Sequence, residues 1–215
     1  MNRRAGRQLL TVVFVCFFCL GSWRVLEAVA GGGPQDVMTE SVGKILDILN
    51  DENMRKPEMR VERRRRVEAV VDESYDFREM SRHTLAGHWD KRSAEEKDRF
   101  VELFSELVKS RYVGKINHYS DQTIRFVKEI VRGKKAEVRS LLMHEGMEIP
   151  LAYRLYDNGD NWKVYDMKIE NVSLAVNYRS DFDSIIKKEG YDGLIVKMQD
   201  KLQELRKEDK EDKND

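Results

Sequence analysis

The chain has 215 residues, 39 Lys and Arg against 39 Asp and Glu, and 40% apolar side chains. That size suits one domain with a single core, and a charge balance of zero argues against nucleic acid as a partner. Both cysteines, Cys16 and Cys19, lie close to the start of the chain, so the remainder offers no thiol for a disulfide or a metal site.

Arg3, Arg4 and Arg7 precede an apolar run from Leu9 to Leu20, and Ala28-Val29-Ala30 places small residues where a signal peptidase reads. Residues 1–30 are therefore expected to be a secretory signal peptide. The apolar run is shorter than the about 20 residues that cross a bilayer. Removing residues 1–30 takes away four arginines and Glu27, leaving 35 basic and 38 acidic side chains. The domain proper is expected over residues 31–205. Residues 206–215 are nearly all charged, and such a segment cannot bury enough surface to offset its ordering entropy, so a disordered tail is expected.

After Gly33-Pro34, the residues Met38, Val42, Ile45, Leu46 and Leu49 recur at helical spacing and predict a first amphipathic helix ending near Asn50. A second begins around Pro57 and carries Met59, Val67, Val70 and Val71 on one face. Its other faces bear Arg60 and the run Arg63, Arg64, Arg65 and Arg66. That run reads either as a solvated face laced to Glu62 and Glu68 or as a docking patch for an acidic partner. Asp76 before Glu79 and Ser93 before Glu96 are helix-start signals. They open a short helix through Met80 and a long one with a wide stripe of Phe100, Leu103, Phe104, Leu107, Val108 and Tyr112.

From Thr123 the period changes to two: Ile124, Phe126 and Ile130, then Val138 to Met143, then Ile149, Leu151, Tyr153 and Leu155, then Trp162, Val164 and Asp166. Short turns at Gly133-Lys134-Lys135 and Asp157-Asn158-Gly159-Asp160 favour an antiparallel meander. Two further helices are expected, one with Phe182, Ile185 and Ile186, the other with Leu194, Met198, Leu202 and Leu205. Helices, consecutive strands and helices describe an α+β domain, a curved antiparallel sheet with helices on one face.

Sites of chemistry are not legible. His83, His88, His118 and His144 do not fall at metal-ligand spacing, and Asp157 to Asp160 lacks the length and closing glutamate of a calcium loop. Asp76 reads as a helix cap and Asp166 as a strand-end carboxylate satisfied by local amides; an acid–base pairing of either with a histidine is the enzymatic alternative.

Two ordered blocks carry a family resemblance. The first is Tyr75-Asp76-Phe77 with Met80, Arg82, Leu85 and Trp89. The second runs through Trp162-Lys163-Val164-Tyr165-Asp166, Val172-Ser173-Leu174, Asn177-Tyr178-Arg179-Ser180-Asp181-Phe182 and Gly190-Tyr191-Asp192-Gly193-Leu194. The chain in this respect resembles the MlaC/toluene-tolerance family of periplasmic phospholipid carriers. It departs from the pattern at Asn171, where a glycine is usual, and around Leu85-Ala86-Gly87-His88.

The resemblance implies a non-catalytic periplasmic protein without cofactor, a monomer whose cargo is phospholipid. Its implied partners are an inner-membrane ABC transporter and an outer-membrane lipoprotein–porin complex. The implied lipid lining is Phe77, Met80, Phe100, Phe104, Leu107, Tyr112, Phe126, Tyr153, Val164, Met167, Val172, Leu174, Val176, Tyr178 and Phe182. Arg179 is the implied head-group contact, and Arg63, Arg64, Arg65 and Arg66 the docking patch. Periodicity alone fits a filled core as well as an apolar lipid cavity. A cup-shaped cavity enzyme and a non-catalytic periplasmic adaptor are the alternatives.

Overall fold

The structure is a computed structural model and describes residues 32–113, 123–144 and 146–211. The expected leader, His118 and the last four residues of the charged tail lie outside the described residues.

Helix α1 (Pro34–Asn50) starts where sequence chemistry places it: proline occupies the first turn, and the Asp36 carboxylate accepts the Gly33 N–H at 2.9 Å. A second donor of that turn, Gln35 N–H, reaches Glu129 at 2.8 Å, which pins α1 to the sheet. A 3-10 turn at Pro57–Met59 leads into α2 (Arg60–Ser74). Helix α3 (Phe77–Leu85) is capped by Asp76, whose side chain accepts Glu79 N–H, and α4 (Ala94–Tyr112) by a reciprocal Ser93–Glu96 box. A 3-10 segment, Ala86–Lys91, joins α3 toward α4.

Strands β1 (Thr123–Arg132), β2 (Lys135–His144), β3 (Met147–Asp157), β4 (Trp162–Ile169) and β5 (Val172–Ser173) form one antiparallel sheet in chain order. The meander and the α+β class expected from the sequence are both present. β4 turns into β5 through Glu170 and Asn171, at φ 50° and 67°. Two consecutive left-handed residues make the hairpin turn that matches strand twist. Asn171, the expected departure from the family pattern, tolerates that conformation through its short polar side chain.

Two bulges change what alternation alone predicts. In β1 the register slips between Phe126 and Lys128, so Val127 is extra and Ile130 pairs with Glu137, on the face opposite to Ile124 and Phe126. The expected same-face set Ile124, Phe126 and Ile130 is thus corrected. In β4 the slip between Arg154 and Leu155 sets Tyr165 outside the pairing, and Val164 and Met167 both turn to the covered face.

Helix α5 (Leu174–Glu211) contains both helices expected at the end of the chain. They meet at Gly190, at φ 77° and ψ 178°, a region open essentially to glycine alone. Residues 206–211, expected as disordered tail, continue this helix, and Arg206 pairs with Glu106 at 2.8 Å.

Candidate functional site

Three buried clusters build the interior. The helical one joins Phe77, Met80, Phe100, Phe104, Leu107, Leu174, Tyr178 and Phe182 with Leu194 and Met198. Its rings pack edge to face, as Phe104 on Tyr178 at 5.3 Å and Phe100 on Phe182 at 5.9 Å. The sheet cluster joins Met38 and Val42 of α1 to Val138, Leu151, Tyr153, Leu155 and Val164. A small third cluster holds Leu49, Val67 and Val113.

These clusters sort the expected lipid lining. Met80, Phe100, Phe104 and Val164 are 0% exposed. A side chain without accessible surface borders no void, so these four are filled core. Phe77, Leu107, Tyr153, Leu174, Tyr178 and Phe182 are nearly as closed. Val172 and Val176, at 58% and 52%, face solvent and line no enclosed space. Only Tyr112, Phe126 and Met167 of the expected set are both packed on a cluster and still partly accessible.

The residues that matter most lie where clusters meet. Tyr75, Met167 and Ile169 pack against both the helical and the sheet clusters, and Val71 against the helical and the third. All four keep accessible surface. Ile124, Leu142 and Ile149 continue the partly accessible surface along the covered face of the sheet. Sequence reasoning passed over Tyr75, Ile169 and Leu142 as lining. The usable signal was the β4 alternation of Met167 with Ile169.

The electrostatics of this seam are those of a dry interior. Burial, with the neighbouring Tyr153 adding to it, pushes the Tyr75 phenol far above its ordinary range, although the side chain retains surface. Tyr75 is thus surrounded by protein while part of its surface stays accessible. Tyr153 and Tyr112 are raised by burial as well. Among the described residues the Tyr75 hydroxyl has the Met167 sulfur, at 3.7 Å, as its partner. These phenols stay neutral, and the surface they offer suits hydrocarbon.

The candidate acid–base groups are engaged elsewhere. Asp76 caps α3 and accepts the Tyr156 hydroxyl. Asp166 is 2% exposed and accepts Ser173 Oγ at 2.7 Å and Ala175 N–H at 3.0 Å, so it satisfies the first turn of α5. His83 stacks on Tyr165 and pairs with Glu79 at 3.2 Å, and His88 pairs with Asp183 at 2.9 Å. Among the described residues no group of three or more His, Cys, Asp or Glu is placed to hold a metal.

The expected polar contacts are likewise committed. Arg179 donates from Nε and Nη2 to the His83 carbonyl at 2.9 and 2.7 Å, closing the end of α3, and forms neither of the surface pairs with Asp181 or Asp183. It also borders an open groove of about 440 Å³ with Leu85, His88 and Val176. Arg63 donates to the Met54 carbonyl at 3.0 Å, and Arg64 reaches Glu68 and Ser110. Arg65 and Arg66 are exposed and share Glu62. As a docking patch the run is reduced to these last two.

The chain is thus a helix-backed antiparallel sheet with an apolar seam on which, among the described residues, no free acid–base group stands. Residues 39–200 match the family described as MlaC protein. The curated "Intermembrane phospholipid transport system binding protein MlaC" of Haemophilus influenzae is 30% identical over 121 residues, 54% of this chain and 56% of that protein. The chain thus spans about half the length of that relative. The solved structure of a phospholipid-binding protein from Ralstonia solanacearum, in complex with a phospholipid, superposes with a TM-score of 0.73 over 81% of this chain and 99% of that one. At 22% identity that likeness establishes the fold. This chain belongs to the MlaC protein family.

Proposed function

We propose that this chain is a periplasmic phospholipid carrier, not an enzyme, which shuttles lipid between an outer-membrane lipoprotein–porin complex and an inner-membrane ABC transporter. The observation that carries the proposal is the seam of Val71, Tyr75, Met167 and Ile169, apolar, inward and still accessible between buried clusters. A two-chain lipid holds on the order of 30 methylenes, each worth ~0.8 kcal/mol when buried. Exposed tails would cost more than about 20 kcal/mol, so a carrier must enclose them. Family membership and the phospholipid named for both relatives support this cargo.

The seam carries no charged side chain, so the head group is expected to stay in water with little selectivity among head groups. Exposed Val172 stands beside Ile169 of the seam where β4 ends. Native mass spectrometry of the purified protein tests the cargo: phospholipid is expected to co-purify. Met167→Trp and Ile169→Trp, which fill the seam, are expected to lose that lipid while melting near wild type. Lipid retained in both variants would place the cargo elsewhere, and none in the wild type would remove the carrier reading.

A further inference from the structure

The helices cover one face of the sheet; on the other, the end of α2 and the start of α3 reach the β4 edge, where Lys163 donates to the Glu73 carbonyl and Tyr156 to the Asp76 carboxylate, and the remainder is open. Five cross-strand rows project there; beyond Thr123, Met143 and Glu148, and Arg125, Leu141 and Pro150, the three nearest the β1–β2 turn are Lys128, Arg139, Ala152 and Lys168; Ile130, Glu137, Arg154 and Asp166; Arg132, Lys135, Tyr156 and Lys163. Of the twelve positions in these last three rows seven are cations and two are carboxylates, an excess of five in a chain whose formal net charge is zero.

Neither carboxylate offsets the field outward. Asp166 has 3% side-chain exposure and is turned into Ser173 and Ala175. Glu137 is 19% exposed and sits under Arg139 at 2.6 Å, Lys168 at 3.4 Å and Arg154 at 3.8 Å. Burial opposes its ionisation, but Arg139 and Lys168 hold its carboxyl below the usual range. With strands about 4.8 Å apart and alternate residues about 6.8 Å apart, the grid is roughly 14 Å square.

We propose that this open sheet face adsorbs the protein to an anionic lipid bilayer. The three uncharged positions of these rows, Ile130, Ala152 and Tyr156, are only partly exposed, and the apolar Leu141 and Pro150 stand apart in the neighbouring row. Protein–protein interfaces have an apolar core and are depleted in lysine, whereas four of these seven cations are lysines. Dispersed cations on a smooth face suit a layer of phosphates, where each contributes by proximity and no fixed partner geometry is needed. The choice of a bilayer rests on the carrier proposal above. The seam lies on the far side of the sheet, so adsorption leaves it free, and binding to a surface is separable from binding of cargo.

The test is co-sedimentation of the purified full chain with vesicles of phosphatidylethanolamine and phosphatidylglycerol, against vesicles of phosphatidylcholine alone. Sedimentation is expected with the anionic vesicles only, and is expected to fall as salt shortens the screening length. Lys128→Gln and Arg132→Gln are each expected to weaken partition roughly fivefold, and Lys128→Glu with Arg132→Glu to abolish it. Both side chains are exposed. Arg65→Glu with Arg66→Glu, on α2, should leave adsorption unchanged. Equal sedimentation with neutral vesicles, or no effect of the β1 reversals, overturns the proposal. So does slowed lipid delivery to membrane complexes by those reversals without any vesicle binding, which would assign the face to an acidic protein. Native mass spectrometry of the same preparations reports the cargo, so loss of the carrier reading and loss of this one are told apart.

Discussion

Asp166 shows how a single buried carboxylate organises a junction, since it bonds Ser173 Oγ, Ala175 N–H and Arg154 Nη1 at 3.3 Å. Asp166→Ala removes three partners at once, and a loss of about 2–4 kcal/mol is expected in the midpoint of urea unfolding. Ala86 is the converse case. It holds φ 46° and ψ −123° at an exposed site, a backbone conformation costly for any side chain with a Cβ. Ala86→Gly is therefore expected to raise stability by roughly 1 kcal/mol, read in the same unfolding experiment. His83 sets a pH dependence. Burial lowers its pKa below the ordinary 6.5 despite Glu79, so the unfolded chain takes up its proton first. Stability should fall as pH drops through about 6.5 toward the depressed folded value, and His83→Gln should flatten that part of the curve.

At the scale of elements, the break in α5 rests on two glycines with different duties. Gly190 supplies the backbone conformation, and a Cβ on Gly193 would stand 2.6 Å from Glu189 Cβ. Tyr191 fixes the corner from outside: its hydroxyl donates to the Glu96 carbonyl at 3.0 Å, and Arg92 lies over its ring at 4.5 Å. Gly190→Ala is expected to cost about 1–3 kcal/mol, with the melting temperature as the readout. The α2 arginines divide in the same way. Arg63 holds the α1–α2 connection through the Met54 carbonyl, while Arg65 is 69% exposed and pairs within its own helix. Arg63→Ala should destabilise measurably; Arg65→Ala should stay within about 0.5 kcal/mol of wild type.

For the molecule as a whole, the distinction between filled core and accessible seam can be measured. Phe104 is 0% exposed among Phe100, Tyr178 and Phe182. Phe104→Ala is expected to cost about 3–5 kcal/mol. Leu174→Trp, in a closed position, should cost about 1–3 kcal/mol by overpacking. Met167→Trp enters the seam instead, and its expected signature is loss of co-purified lipid with little change in melting. If all three variants unfold alike, the seam is packed interior and not a chamber.

Local chemistry was legible from the sequence because it depends on neighbours along the chain. The Asp76 and Ser93 caps, the helical stripe of α4, the strand period of two and the hairpin turns needed no knowledge of what lies across the core. The family resemblance was legible for the same reason, since it rests on ordered residues at fixed spacing. The lining was not. Phe104 and Tyr112 lie on one stripe of one helix, yet the first is sealed by Tyr178 and Phe182 while the second keeps surface. Periodicity reports which side of an element faces inward, and only tertiary packing decides whether another side chain fills the space it faces. The bulges at Val127 and Tyr165 act similarly: one added residue turns every later side chain to the other face. Composition and spacing therefore determined a helix-backed sheet. The tertiary structure decided which of its inward residues remain accessible between clusters and which cations share its open face, because both depend on chain segments far apart in sequence.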